Sequence, residues 1–123
     1  MCQVFIGADA ALYQARARSL RLRGVSTSIR LENLFWRVLE DIGARDGLSL
    51  SQLIAKLYDE LAETDGDLGN FTSFLRVSCL RYLSLQLLGA IPQGNDIPIA
   101  SLDATRVLAA ERALRSAATQ SRM

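Results

Sequence analysis

Residues 18–32, RSLRLRGVSTSIRLE, alternate between two faces with period two, and the alternation stops abruptly at residue 33. Leu20 and Leu22 share one face, Arg21 and Arg23 the other. After Gly24, Val25, Thr27, Ile29 and Leu31 point one way and Ser26, Ser28 and Arg30 the opposite way. Alternation with this β-branched content specifies a half-buried strand. Arg23-Gly24 is either a tight hairpin turn or the site of a glycine bulge in one longer strand, and alternation alone permits both.

Helical periodicity takes over at once. Phe35, Val38, Leu39 and Ile42 fall at i, i+3, i+4 and i+7, with Glu40 and Asp41 on the opposite side and Gly47 placed to end the helix, so a helix is expected over 33–46. Ser49 followed by Gln52 forms a capping box. Leu48 can pack on Leu53 as a hydrophobic staple, and the helix so started is expected to run from Leu50 to about Ala62. The stretch TDGDLGN at 64–70 has the composition of a turn. It fails as a calcium loop, because Asn70 stands where glycine is needed and Arg76 where the bidentate acid belongs. A third helix should begin near Asn70 or Thr72 and end near Leu88. Its apolar residues cover most of its circumference, which predicts burial on several sides. Residues 89–100, holding both prolines, read as a linker. Asp103 can cap a last helix within 101–123.

Several chemistries are disfavoured by what the chain contains. It has 123 residues and no histidine, which removes the commonest general base and zinc ligand together. Cys2 and Cys79 cannot make a zinc site alone and are expected to be reduced thiols of a cytoplasmic protein. No nucleophile–base pair or metal cluster is visible, so neither an enzymatic activity nor a cofactor is expected. No signal peptide is apparent, and Phe71 to Ile91 is too interrupted by Arg76, Arg81 and Gln86 to span a bilayer. The net charge of +1 conceals a segregation: +4 over residues 1–30, −6 over 31–70 and +3 over 71–123. A basic arm ahead of an acidic helical body can mark an anion-binding edge.

A lone strand ahead of helices leaves its backbone groups unpaired. The simplest remedy is the same strand in a second copy, paired antiparallel about a two-fold axis. Such a ribbon buries Ile29 and Leu31 over the helices and presents Ser26, Ser28 and Arg30 twice on its other side. A two-stranded ribbon fits the major groove of B-DNA, where arginine can bridge guanine O6 and N7 and serine can contact either base.

The stretch TSIRLENLFWRVLEDIGARDGLSLSQLIAKLYDEL, residues 27–61, resembles the ribbon-helix-helix DNA-binding proteins, which include the Arc and methionine repressors. The flanking MCQVF at the start and NFTSFLRVSCLRYL at 70–83 resemble a bacterial subfamily with an extra N-terminal segment and a third helix. The resemblance implies a mainly α homodimer with a short N-terminal strand, an intersubunit antiparallel ribbon and additional helices. Residues 1–88 would form the ribbon-helix-helix domain, with its core at 25–63. It implies double-stranded DNA as partner, base reading by Ser26, Ser28 and Arg30, and a phosphate held by the helix N-terminus at Leu48, Ser49 and Leu50, where free amides and the helix dipole favour an anion. Arg21, Arg23 and Arg45 would extend the basic surface, and dimers could assemble further on DNA. The alternative is a dimeric interaction module that keeps the fold but binds a protein through its last two helices.

Overall fold

The computed structural model describes residues 2–64 and 66–121. Asp65, one of the turn acids, lies outside them. A short helix α1 (Cys2–Ile6) and a 3-10 turn (Ala10–Tyr13) precede two strands, β1 (Ala15–Leu22) and β2 (Val25–Glu32). Helices α2 (Asn33–Arg45), α3 (Leu50–Glu63), α4 (Phe71–Leu88) and α5 (Ala104–Ser121) follow. All four lie where periodicity placed them, to within about one turn. The short α1 carries no such signal.

The ribbon is two-stranded and antiparallel, but its second strand comes from an unexpected place. β2 is paired along its whole length by β1 of the same chain, from Leu22 opposite Val25 to Ala15 opposite Glu32. The premise of a lone strand is thereby corrected. Arg23 and Gly24 both take positive φ, 51° and 80°, which is the two-residue turn whose twist matches that of paired strands. Glycine adopts it without strain, and Arg23 is held there by an ion pair of 3.2 Å to Asp59 on α3. The open end of the hairpin is closed by the Asn33 amide, which donates to the Gln14 carbonyl at 2.9 Å.

The register sorts the side chains. Leu20 and Leu22 of β1 and Ile29 and Leu31 of β2 are buried beneath the ribbon. They meet Trp36 and Leu39 of α2, Leu50, Leu53 and Ile54 of α3, and Phe71, Leu75 and Cys79 of α4 in one core. Trp36 donates its indole N–H to the Arg16 carbonyl at 2.9 Å, tying α2 to β1. At the α2–α3 corner, a Cβ on Gly43 would come within 2.9 Å of the Leu48 carbonyl. Only glycine permits the two helices to turn so tightly, and the Leu48 amide bonds the Gly43 carbonyl at 2.9 Å.

Cys79 sits between α4 and α2, its thiol donating weakly to the Phe35 carbonyl at 3.6 Å. Burial pushes that thiol up to about 12, so at pH 8 almost none of it is the reactive thiolate. An alkylating reagent is expected to label exposed Cys2 and spare Cys79 until the protein is denatured, as mass spectrometry of peptides would show. Labelling of Cys79 in the folded protein at the rate of Cys2 would mean that α4 opens freely from α2.

A second, smaller apolar cluster joins Tyr82 and Leu85 of α4 to Ile91, with Val38, Ile42, Ile99, Leu102 and Val107 against it. Residues 89–103 therefore connect α4 to α5 while staying docked on the body. The side chain of Asp46 accepts the Ile99 and Ala100 amides at 2.6 and 3.0 Å. At the start of α5, Asp103 accepts the Arg106 amide at 3.3 Å. Arg81 grips Glu111 through two bonds of 2.9 and 2.8 Å, which hold that carboxyl below the usual carboxylate range.

α4 departs from its expected burial on several sides. Among the described residues of one chain, only the side bearing Phe71, Leu75, Cys79, Tyr82 and Leu85 is buried.

Candidate nucleic-acid interface

Side chains directly opposite in an antiparallel pair project from the same face. The outer face of the hairpin therefore carries four pairs: Ser26 with Arg21, Ser28 with Ser19, Arg30 with Ala17, and Glu32 with Ala15. All of these residues except the half-buried Glu32 are exposed. Ser26, Ser28 and Arg30 thus lie together on one solvent-facing surface, as alternation required. Alanine and serine dominate the middle of that surface, so the backbone itself can approach a partner closely. Arg21 and Arg30 stand four residue pairs apart on opposite strands, about 13 Å along the ribbon at the usual strand rise.

Ala15, Ala17 and Ser19 are members of this face that sequence reasoning missed. The signal was present in ARARSLRL, whose alternation becomes meaningful once Arg23-Gly24 is a turn rather than a bulge. Glu32 closes the far end, bound by Arg76 of α4 at 3.0 and 3.4 Å. Its own backbone hydrogen bond and then the Arg76 guanidinium lower that carboxyl below the usual range.

The five arginines of the N-terminal arm are not equivalent. Arg18 lies 5.7 Å over the Trp36 ring and pairs with Glu40 at 3.3 Å, and Arg23 pairs with Asp59. Arg21 donates to the Gly24 carbonyl at 3.3 Å. Among the described residues Arg16, Arg21 and Arg30 form no ion pair, so the charge available to an external anion is smaller than the segment total and is concentrated on the ribbon.

Arg45 is corrected outright. It is only 4% exposed and belongs to no basic surface. Its guanidinium donates to the Ile97 carbonyl at 3.1 and 2.9 Å, to the Pro92 carbonyl at 2.6 Å and to the Tyr82 hydroxyl at 3.3 Å. The Tyr82 hydroxyl in turn donates to Asp41 at 3.2 Å. An arginine in the last turn of a helix is electrostatically favoured there, and here the docked 89–103 segment seals it from water.

The N-terminus of α3 is built as the capping box predicts. Ser49 Oγ accepts the Gln52 amide at 3.2 Å and Gln52 Oε1 accepts the Ser49 amide at 2.9 Å. The Leu48 amide is taken by Gly43. Of the three amides named for a phosphate, only that of Leu50 has no acceptor among the described residues.

Hairpin, capped helix and third helix together define a class. Residues 15–83 match the family model described as a ribbon-helix-helix domain, and the chain belongs to that family, whose members are in general DNA-binding regulators. Its fold is similar to that of an uncharacterized protein from Bordetella pertussis Tohama I. The two share 59% sequence identity with a TM-score of 0.85, over 88% of this chain and 86% of that one. No curated protein matches the chain. No helix among the described residues is long and apolar enough to cross a membrane.

Proposed function

We propose that this chain is a dimeric, sequence-specific DNA-binding protein of the bacterial cytoplasm, a transcriptional regulator that represses target genes or its own. In this reading the hairpin formed by β1 and β2 enters the major groove, with Ser26, Ser28 and Arg30 at the base edges and Arg21 beside them. The observation that carries it is the outer ribbon face: exposed, small in its middle, and bearing two arginines without a carboxylate partner among the described residues. Their separation of about 13 Å corresponds to about four base-pair steps at 3.4 Å each. A folded hairpin lets each subunit bring a complete ribbon, so the two subunits would read two half-sites. The Leu50 amide at the start of α3 would add a phosphate contact, with Ser49 holding the helix end in shape.

Fluorescence anisotropy with mixed genomic fragments at two salt concentrations tests this. Binding is expected at low salt and should weaken steeply as salt rises. Arg30→Ala should lose on the order of 1–3 kcal/mol, roughly 5- to 150-fold, on a selected site if it bridges a guanine. No binding at low salt, or equal binding by Arg30→Ala, would overturn the reading. The second reading, a protein-interaction module, is favoured by one specific observation, the exposed apolar side of α4. It would be the one to adopt if the hairpin proves indifferent to DNA.

A further inference from the structure

Between α4 and α5 lies an apolar pocket of about 270 Å³. Its wall draws on every part of the helical body: Ile42 of α2, Leu57 of α3, Leu85 of α4, Ile99 of the docked connecting segment and Val107 of α5. Three polar side chains share the lining, Ser78, Arg81 and Tyr82. Ser78 spends its hydroxyl proton on the Phe74 carbonyl at 2.8 Å, and Tyr82 spends its own on Asp41 at 3.2 Å. Arg81 holds Glu111 through Nε and Nη2, and its Nη1 has no acceptor among the described residues. An apolar interior with one unspent side-chain donor is the pattern of a small-molecule site.

We infer that this pocket binds a small neutral molecule with an apolar body and one carbonyl, which accepts a hydrogen bond from Nη1 of Arg81. Size sets the first limit. An apolar cavity of about 150 Å³ holds benzene, so by proportion this pocket holds a ligand of about eleven non-hydrogen atoms. One turn of an α-helix occupies on the order of 500 Å³, so a partner helix does not enter.

Charge sets the second limit. Among the described residues Arg81 is the one charged member of the lining. Glu111 neutralises it at 2.8 Å, and Arg115, one turn further along α5, adds its charge to Glu111. Arg45 and Asp41 offset each other at the Tyr82 hydroxyl. Asp46 and Asp103, next to the lining, are taken up by the backbone amides of Ile99, Ala100 and Arg106. An anionic ligand would have to displace Glu111 from Arg81, and a cationic one would face the guanidinium in a poorly hydrated site. A neutral acceptor meets neither penalty. Once bound, it touches α4, α5 and the connecting segment together and so ties α5 to the body.

The inference does not rest on DNA binding and is tested without DNA. Three probes of nearly equal size separate its parts: benzylacetone carries a ketone, butylbenzene lacks it, and hydrocinnamate carries a carboxylate instead. In amide NMR titrations of the full chain, benzylacetone should saturate, with shifts centred on Leu85, Ile99 and Val107. It should bind about tenfold tighter than either of the others, the worth of one hydrogen bond to a charged donor. Arg81→Met should lose that tenfold for benzylacetone and leave butylbenzene unchanged, which shows that the pocket itself is intact. Val107→Trp fills the pocket from α5 and should abolish binding of both with an unchanged circular dichroism spectrum. If that variant does not fold, the location of the shifts in the natural protein decides. Absence of saturable shifts with benzylacetone, or shifts centred elsewhere, would overturn the inference. So would butylbenzene or hydrocinnamate binding as tightly as the ketone, or an Arg81→Met variant that weakens butylbenzene equally. Failure of the natural protein to bind DNA would overturn the proposed function and leave this site standing.

Discussion

Replacing Trp36 by alanine is expected to cost roughly 3–5 kcal/mol of stability, a large share of the 5–15 kcal/mol of a typical domain. Trp36 is 1% exposed and sits where α2 meets the ribbon. Its removal deletes the largest fully buried side chain of the core, and the rigid helix and hairpin on either side cannot collapse into the space. It also strips the Arg16 carbonyl of its 2.9 Å partner and the Arg18 guanidinium of the ring beneath it. Trp36→Phe keeps most of the volume and loses the hydrogen bond, so a cost of about 1–2 kcal/mol is expected. Urea unfolding followed by circular dichroism measures both. A cost below about 1 kcal/mol for the alanine variant, well under the usual range for such a truncation, would show that the hairpin is held without Trp36. If the hairpin is the DNA-binding element, the alanine variant also binds DNA more weakly although no outer-face residue has changed.

Arg45→Met should rank second, at roughly 3 kcal/mol, because hydrogen bonds to a charged donor are each worth more than neutral ones and buried acceptors would be left unpaired. The Ile97 and Pro92 carbonyls and the Tyr82 hydroxyl lose their donor together. The loss has a ceiling, since residues 89–101 can undock and give those carbonyls to water. Faster hydrogen exchange at the Ile99 and Ala100 amides, which Asp46 now holds, is therefore expected ahead of global unfolding, with the hairpin unaffected. Lysine at this position should recover less than half, because its ammonium cannot reproduce the planar fork that serves three acceptors. Arg23→Met is the comparison. Its ion pair with Asp59 is half exposed on both sides, and a change within about 1 kcal/mol is expected. Equal losses for the two variants in thermal unfolding would contradict the assignment of Arg45 as the anchor of the 89–103 segment.

The helices were legible because their information is local. Phe35, Val38, Leu39 and Ile42 define a stripe by spacing alone, and Ser49 with Gln52 closes a hydrogen-bonded box within four residues. The β2 half of the outer ribbon face was legible by the same logic, since Ser26, Ser28 and Arg30 alternate with Ile29 and Leu31 whatever strand lies alongside; the β1 half was not. The partner of β2 was not legible. Arg23-Gly24 is compatible with a turn or a bulge until the two halves of the alternating stretch are placed side by side.

Arg45 shows the same limit more sharply. As a sequence position it is one more arginine in a basic-to-acidic gradient, and nothing near it in the chain shows that carbonyls some fifty residues away will enclose it. α4 shows the converse, a helix whose all-round apolarity predicts cover on every side while the described residues of its own chain cover only one. By itself the sequence determined the strand and helix periods, the α3 cap and that Ser26, Ser28 and Arg30 share one face of β2, because each depends on neighbours a few residues apart. Only the tertiary structure decided which strand completes the ribbon, which arginines stay on the surface and which side of α4 is left open. Those outcomes depend on distant groups meeting and excluding water, and local spacing does not encode that.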